Sequence, residues 1–175
     1  CSRRFCSAAR LSGAIKCWGN GILGALGNAP PIRSATPVAV SGGASISHLA
    51  VGDTKACGVA AGAAKCWGDE SGSFWTEVMA PKALNAPFNS DVASLSVGYH
   101  GYCGIIGGGI YCGEGSTPLS GLESGATAVA SHDSHTCGST ATVVRCWGDD
   151  YGIAVPPVTI AGVGSPVTAL AAGFR

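Results

Sequence analysis

The chain carries nine cysteines and four histidines. Thiols can cross-link, bind a metal or attack an electrophile, and their spacing decides among these. They recur as Cys57/Cys66, Cys103/Cys112 and Cys137/Cys146, each with eight residues between, and once, stretched, as Cys6/Cys17. The midpoint of Cys103–Cys112 is Gly107-Gly108, a favoured two-residue hairpin turn because both positions need φ > 0. Counted outward from that turn, the cysteines form a non-hydrogen-bonded pair. There the Cα atoms lie about 4.5 Å apart, inside the disulfide range of about 4.4–6.8 Å. The spacing therefore predicts four bridges, Cys6–Cys17, Cys57–Cys66, Cys103–Cys112 and Cys137–Cys146, each stapling a β-hairpin across its mouth. Each closes a loop of about ten residues, worth roughly 2–3 kcal/mol in the chain-entropy model. Cys1 is left over. It is either free, or bonded to another chain or to a part of the protein beyond this sequence.

Other chemistry finds less support. His132, Asp133 and His135 precede the Cys137 hairpin, and His100 stands at a similar place before Cys103. A zinc or calcium site needs three or four converging ligands, and the cysteines serve better as bridges, so no metal is expected. No Gly-x-Ser-x-Gly elbow occurs, and no glycine-rich loop opens a helix over a phosphate. The chain is read as non-enzymatic and without a cofactor.

The hairpins need elements to hold them. Ile46–Val51, Val92–Val97 and Ala126–Ser131 each begin eleven positions before a leading cysteine and alternate as half-buried strands do. Gly52 and Gly98 follow two of them and predict tight turns. After the hairpins come variable loops and then Pro-marked segments at Thr36-Pro37, Ala80-Pro81, Thr117-Pro118 and Pro157, which suit edge strands. Each unit thus has four strands. The leading cysteines are 51, 46 and 34 residues apart, periods that point to a propeller or solenoid. One domain over 1–175 is expected, with repeats near 1–45, 46–91, 92–125 and 126–165, and with 166–175 as a strand completing the first repeat. The array is either a small closed ring or an arc of a larger one.

Cys-Trp-Gly at Cys17–Gly19, Cys66–Gly68 and Cys146–Gly148 resembles the regulator-of-chromosome-condensation repeat. So does Asn20–Gly27, NGILGALG, which is similar to that family's N-x-x-G-Q-L-G stretch, and His135-Thr136-Cys137, similar to its H-(S/T)-C. In repeat three, Gly113-Glu114-Gly115 replaces the Trp-Gly. The cysteine pairing resembles the secreted branch of the family. The resemblance implies an all-β propeller. It implies functions ranging from nucleotide exchange on a nuclear GTPase to secreted β-lactamase inhibition and general protein-interaction platforms. No residues match those that would carry exchange.

Charged residues make up 11% of the chain and the net charge is zero, without a basic run, which argues against nucleic acid and anionic membrane as partners. The long uncharged stretch Ile153–Phe174 holds Pro156, Pro157 and Pro166, so membrane insertion is not expected. The cysteine content suits an oxidising, extracellular or cell-surface setting. The expected partner is another protein or copies of the chain itself, with an intermolecular bond through Cys1 as one route. Low charge and positive mean hydropathy favour the self-associating option.

Trp18, Trp67 and Trp147 recur at one repeat position and are expected to pack between neighbouring repeats. Trp75 does not recur. With Phe74 it lies in the variable loop of repeat two, either as a partner anchor or folded back on its own repeat. Tyr99, His100 and Tyr102 form a second aromatic group at a turn whose equivalents carry Asp53 in repeat two and Asp133 in repeat four. These seven residues are the candidate binding set. Asp69-Glu70 and Asp149-Asp150 read as solvated loop starts. Alkylation of the unreduced protein is expected to find eight of the nine thiols protected. Nine thiols reacting equally before and after reduction would overturn the oxidised reading.

Overall fold

The hairpins organise the fold as the spacing requires. The computed structural model describes residues 6–11, 14–21, 24–28, 33–52, 55–69, 77–99, 101–113, 115–150 and 153–173. They form fourteen strands: β1 (Cys6–Leu11), β2 (Ala14–Asn20), β3 (Arg33–Ala39), β4 (Ile46–Val51), β5 (Lys55–Ala60), β6 (Ala63–Asp69), β7 (Glu77–Ala83), β8 (Val92–Val97), β9 (Tyr102–Ile106), β10 (Gly109–Cys112), β11 (Ala126–His132), β12 (His135–Thr140), β13 (Val144–Asp150) and β14 (Ile153–Thr159). The architecture is an all-β, propeller-like array of antiparallel sheets, β1-β2-β3, β4-β5-β6-β7, β8-β9-β10 and β11-β12-β13-β14, not closed into a ring. Among the described residues no helix is long and apolar enough to cross a membrane.

Among the described residues three hairpins are bridged, with Cα–Cα separations of 4.1 Å for Cys57–Cys66, 4.1 Å for Cys103–Cys112 and 4.0 Å for Cys137–Cys146. In each the two cysteines are direct register partners. The Gly107-Gly108 turn has φ of 56° and 85°, as a tight hairpin needs. The first hairpin differs. Its register sets Ala8 opposite Cys17 and Cys6 opposite Gly19, so the expected facing of Cys6 and Cys17 is offset by two residues. The two extra residues between those cysteines fall on the Cys6 arm. Cys1 lies outside the described residues.

The expected four strands per repeat appear in the second and fourth sheets, whereas the first and third have three. The Pro-marked stretch of repeat three is too short to lay down an outer strand. Around Leu119, the described residues make two backbone hydrogen bonds with β10, Leu119 N–H to Ile110 O at 2.8 Å and Ile110 N–H to Leu122 O at 2.9 Å. In the first sheet, no described strand precedes β1. The segment 167–173 has the pattern of a leading strand. Its Val167 N–H donates to Ala141 O at 3.2 Å, on the fourth hairpin's turn. Val92 and Ala126 make the same bond to Gly62 and Gly108, each 2.9 Å long, on the preceding sheet. Val167 therefore docks where the leading strand of a following sheet would begin.

Among the described residues, most buried apolar side chains collect at the three seams between neighbouring sheets. Ile15, Leu26 and Val40 meet Ile46, Ala56 and Trp67 across the first seam. Val59, Ala64, Phe88 and the bridge Cys57–Cys66 meet Val92, Leu95 and Tyr102 across the second. Ile105, Ile110 and Leu122 meet Val129 and Trp147 across the third. Two glycine positions make this closeness possible. The one after Cys103 and Cys137 leaves no room for a side chain: a Cβ at Gly104 would sit 2.9 Å from Phe88 Cε1, and one at Gly138 would run into Ile110 Cδ1 of the preceding sheet. The one after each tryptophan, Gly19 and Gly68, takes φ of 110° and 102°. There the register slips by a bulge, between Cys17 and Gly19, Cys66 and Gly68, and Cys146 and Gly148. The bulge re-aims each tryptophan.

Gly52 and Gly98 do mark turns, but not through unusual backbone angles. A Cβ at Gly52 would lie 2.9 Å from Val97 Cγ1, and one at Gly98 would lie 2.9 Å from Asp133 O. The next sheet forces glycine there. The leading strands also touch directly: Ser131 N–H donates to Ser96 Oγ at 2.7 Å. His48 Nε2–H donates to Leu95 O at 3.0 Å, the carbonyl fixing the tautomer because it can only accept. At the third seam, Arg145 Nη1 donates to Ser120 O at 3.0 Å. Nearby, the Gly121 N–H reaches the Glu123 carboxylate at 2.8 Å. That bond, the Glu123 N–H and the charge of Arg145 hold the Glu123 carboxyl below its ordinary range.

Trp67 is 1% exposed and its Nε1–H donates to Ala25 O at 3.2 Å, fastening the first two sheets together. Trp67→Ala is expected to destabilise by about 3–5 kcal/mol in urea unfolding, as large-to-small changes in cores do. A loss under about 1 kcal/mol would show that the seam repacks.

Candidate functional site

The seams are not equivalent. At the first and third, a tryptophan from one sheet fills the gap against the sheet before it: Trp67 against the first sheet, and Trp147 against the third. The residue paired with it across the hairpin is small, Ala56 opposite Trp67 and Thr136 opposite Trp147. At the second seam this is reversed. Gly113 stands in the tryptophan's place, and its N–H donates to the carbonyl of Tyr102 at 2.9 Å. Tyr102 is the large member of the pair. Its ring packs edge-on to Phe88, with centroids 5.0 Å apart and planes at 86°.

Tyr102 does not restore the whole volume. A cleft of about 340 Å³ remains between the second and third sheets, at the small end of the usual size of ligand pockets. Leu84, Phe88 and Tyr102 give it apolar and aromatic lining. Lys55, Asp69, Lys82 and Asn85 give it polar lining, and Gly101 and Gly113 stand at the third sheet's side. Lys55 is 4% exposed and Asp69 1% exposed, although charged groups are rarely buried so far. Asp69 is therefore not a solvated loop start. It closes β6 inside the seam. Among the described residues, no group of three or more His, Cys, Asp or Glu side chains gathers as metal ligands do.

The candidate binding residues fall in three groups. Tyr99 and Asp133 lie side by side on one rim: the Tyr99 N–H donates to Asp133 O at 3.0 Å, joining the turn before β9 to the turn before β12. Asp133 holds φ of 49° in its turn, and both residues are half-buried. Tyr102 faces the seam, where it does the packing work of the missing tryptophan. Asp53, Phe74, Trp75 and His100 lie outside the described residues. The residue reading missed Lys82, Asn85 and Phe88 as lining of a cleft. The signal that could have found the cleft is Gly113, a glycine where the other repeats carry tryptophan.

No family model matches the chain, and no curated protein matches it in sequence. Solved structures do match in fold. Human WBSCR16 superposes with a TM-score of 0.75 at 17% identity, covering 95% of this chain and 54% of that one. Yeast RCC1 (Prp20), in its complex with Kap60, gives 0.66 at 16% identity, covering 86% and 45%. The CRINKLY WD40 ectodomain of the Arabidopsis thaliana receptor kinase ACR4 gives 0.51 at 18% identity, covering 86% and 49%. These likenesses show an RCC1-type propeller fold. The chain spans about half the length of the structures it matches.

Tyr102→Leu keeps an apolar side chain but removes the edge-on ring contact. The expected cost in urea unfolding is about 0.5–1.5 kcal/mol. No measurable cost would show that Tyr102 does not hold the second seam.

Proposed function

We propose that this chain is a non-enzymatic protein-interaction module of the extracellular space or cell surface, binding through the turns along one rim. The observation that carries this is the bond between Tyr99 and Asp133. It sets equivalent turns of two sheets side by side while their side chains differ in kind. Different chemistry on a stapled, rigid rim is what selective recognition uses. Asp53 and His100 belong to the same series of turns in sequence, and Phe74 and Trp75 offer aromatic anchors in the variable loop.

Other observations support the reading. Yeast Prp20 was solved bound to Kap60 and is described with its binding to Gsp1p and histones, so this fold serves as a protein-binding platform in that case. Three bridges within one short chain suit an oxidising compartment. One structural likeness is to a receptor ectodomain. Within this reading, the cysteine-paired repeat belongs with the secreted branch of the family, and an inhibitor of a foreign enzyme is one form such a module takes.

A second reading, a structural subunit of an extracellular assembly, draws on a different feature. Val158, Ile160 and Val163 are 51%, 41% and 44% exposed on and just after β14. Several large apolar side chains exposed along one short segment favour self-association.

The oxidised protein, used as bait in extracellular fluid, is expected to capture a distinct partner in fixed stoichiometry. Trp75→Ala and Tyr99→Ser are each expected to weaken capture by about tenfold without lowering the melting temperature. Recovery only of further copies of the chain would replace the recognition reading with the structural-subunit one.

A further inference from the structure

We infer that the outer face of the fourth sheet takes the first sheet of a second copy of this chain, with residues 167–173 of one copy adding a leading strand to the open edge of β1 in the other. The joint, made twice, closes two copies into one ring. The inference rests on neither reading above, since such a ring can carry a recognition rim or enter a larger assembly.

The fourth sheet is built as half of a seam. Ile160 N–H donates to Val144 O at 2.9 Å, the same bond that Val40 makes to Ile15 at 3.0 Å, Leu84 to Ala64 at 3.0 Å and Leu119 to Ile110 at 2.8 Å. Ile160 therefore holds the place of Val40, Leu84 and Leu119, each of which packs into a seam that the next sheet covers. Val163 follows Ile160 at the spacing by which Leu122 follows Leu119. Leu122 is 0% exposed, whereas Ile160 and Val163 are 41% and 44% exposed. Residues 167–173 begin on this face as β8 and β11 begin on theirs, through Val167 N–H and Ala141 O. Val167, Leu170 and Ala172 are half-buried, while Thr168, Ala169 and Ala171 are exposed. β8 and β11 each pair along the other edge with a middle strand, β9 and β12. Among the described residues, 167–173 has no such strand beside it.

The first sheet offers the complement. β1 matches the middle strands β5, β9 and β12, yet among the described residues it pairs with β2 alone. An unpaired edge presents N–H and C=O groups ready for another strand. The other sheets set the register. Ala50, Ser96 and Ala130 stand opposite Cys57, Cys103 and Cys137. In the first sheet Ala8 takes the leading cysteine's place opposite Cys17. Ala171 follows Val167 as Ser96 follows Val92, so it pairs with Ala8 of the copy. Trp18, half-buried, holds the register position of Trp67, which packs with Val40 in the first seam. In the joint it lies against Ile160 in the same way. The two halves stand apart within one chain, because the array is open and spans 54%, 45% and 49% of the structures it superposes on. A joint between unlike surfaces builds a ring when its rotation closes, and two arcs of about half a turn close. Zero net charge leaves no repulsion between the copies.

Sedimentation equilibrium of the oxidised chain tests this, with Cys1→Ser to remove one disulfide route between copies. A mass twice the 17.2 kDa of one chain is expected. Ile160→Asp places a charge on the exposed face. Ala171→Pro removes an N–H from the pairing edge: Gly52 N–H donates to Lys55 O across the equivalent edge at 2.9 Å, and Ala171 matches the position two residues before Gly52. Each variant is expected to raise the dissociation constant at least about tenfold while keeping the parent's circular dichroism. Ala8→Cys combined with Ala171→Cys places two thiols on a hydrogen-bonded pair, about 5.5 Å apart at Cα and within disulfide range. It is expected to give a doubled band on a denaturing gel without reductant, with the 8–171 link found in the digest. A link formed within one chain would show the ring closing on itself and would overturn the inference. So would a doubled mass untouched by both variants. A single-chain mass at every concentration would also overturn it and leave the face to a further repeat. The joint uses none of the rim residues, so its failure leaves the rim reading standing, and loss of partner capture leaves the joint standing.

Discussion

Every sheet in this protein depends on its neighbour for a hydrophobic core. A three- or four-stranded sheet buries nothing by itself. It becomes stable when a second face lies against it. Here the approach is close enough that Gly104 and Gly138, each following a leading cysteine, lie against side chains of the preceding sheet. The disulfides brace the hairpins at the same level. Two of the cross-linked pairs, Cys57–Cys66 and Cys103–Cys112, lie against a seam. The staples hold the middle strands in register, and the seams between sheets supply most of the apolar burial.

This dependence gives the tryptophan its role. A seam needs a large, flat side chain set at the right angle, and the bulge at Trp-Gly provides the angle. Where repeat three lacks an outer strand, it also lacks the bulge and the tryptophan. Tyr102 supplies a ring from the facing strand instead. The substitution is local and complementary, large for small across a hairpin. The ring arrives from a different backbone point, so it covers a different part of the gap. The cleft is what is left over.

The same packing explains the chemistry of the rim and of the seam. Few charges are present in the chain, yet Lys55 and Asp69 are among the most buried residues. A charge in such a place must be compensated within the protein, and the second seam is where both are held. On the rim, the turn positions meet through backbone atoms, as at Tyr99 and Asp133. A turn whose position is fixed by main-chain bonds can change its side chains from one sheet to the next at little cost to the fold.

The sequence alone determined what is local and periodic. Cysteine spacing and the Gly-Gly midpoint fixed three stapled hairpins, because a two-residue turn and a period of two leave one possible register. The alternating segments gave the leading strands, and the cysteine intervals gave the repeated sheet. Tertiary structure decided the rest. It offset the first hairpin, since two extra residues have no local signal saying which arm takes them. It buried Asp69, which in sequence reads like any acid at a loop start. It turned Tyr102 from a surface candidate into a seam residue, because the space it enters belongs to another sheet. The glycine at position 113 was visible from the start. That it leaves a cleft depends on how closely two sheets approach, and no spacing within one chain segment encodes that distance.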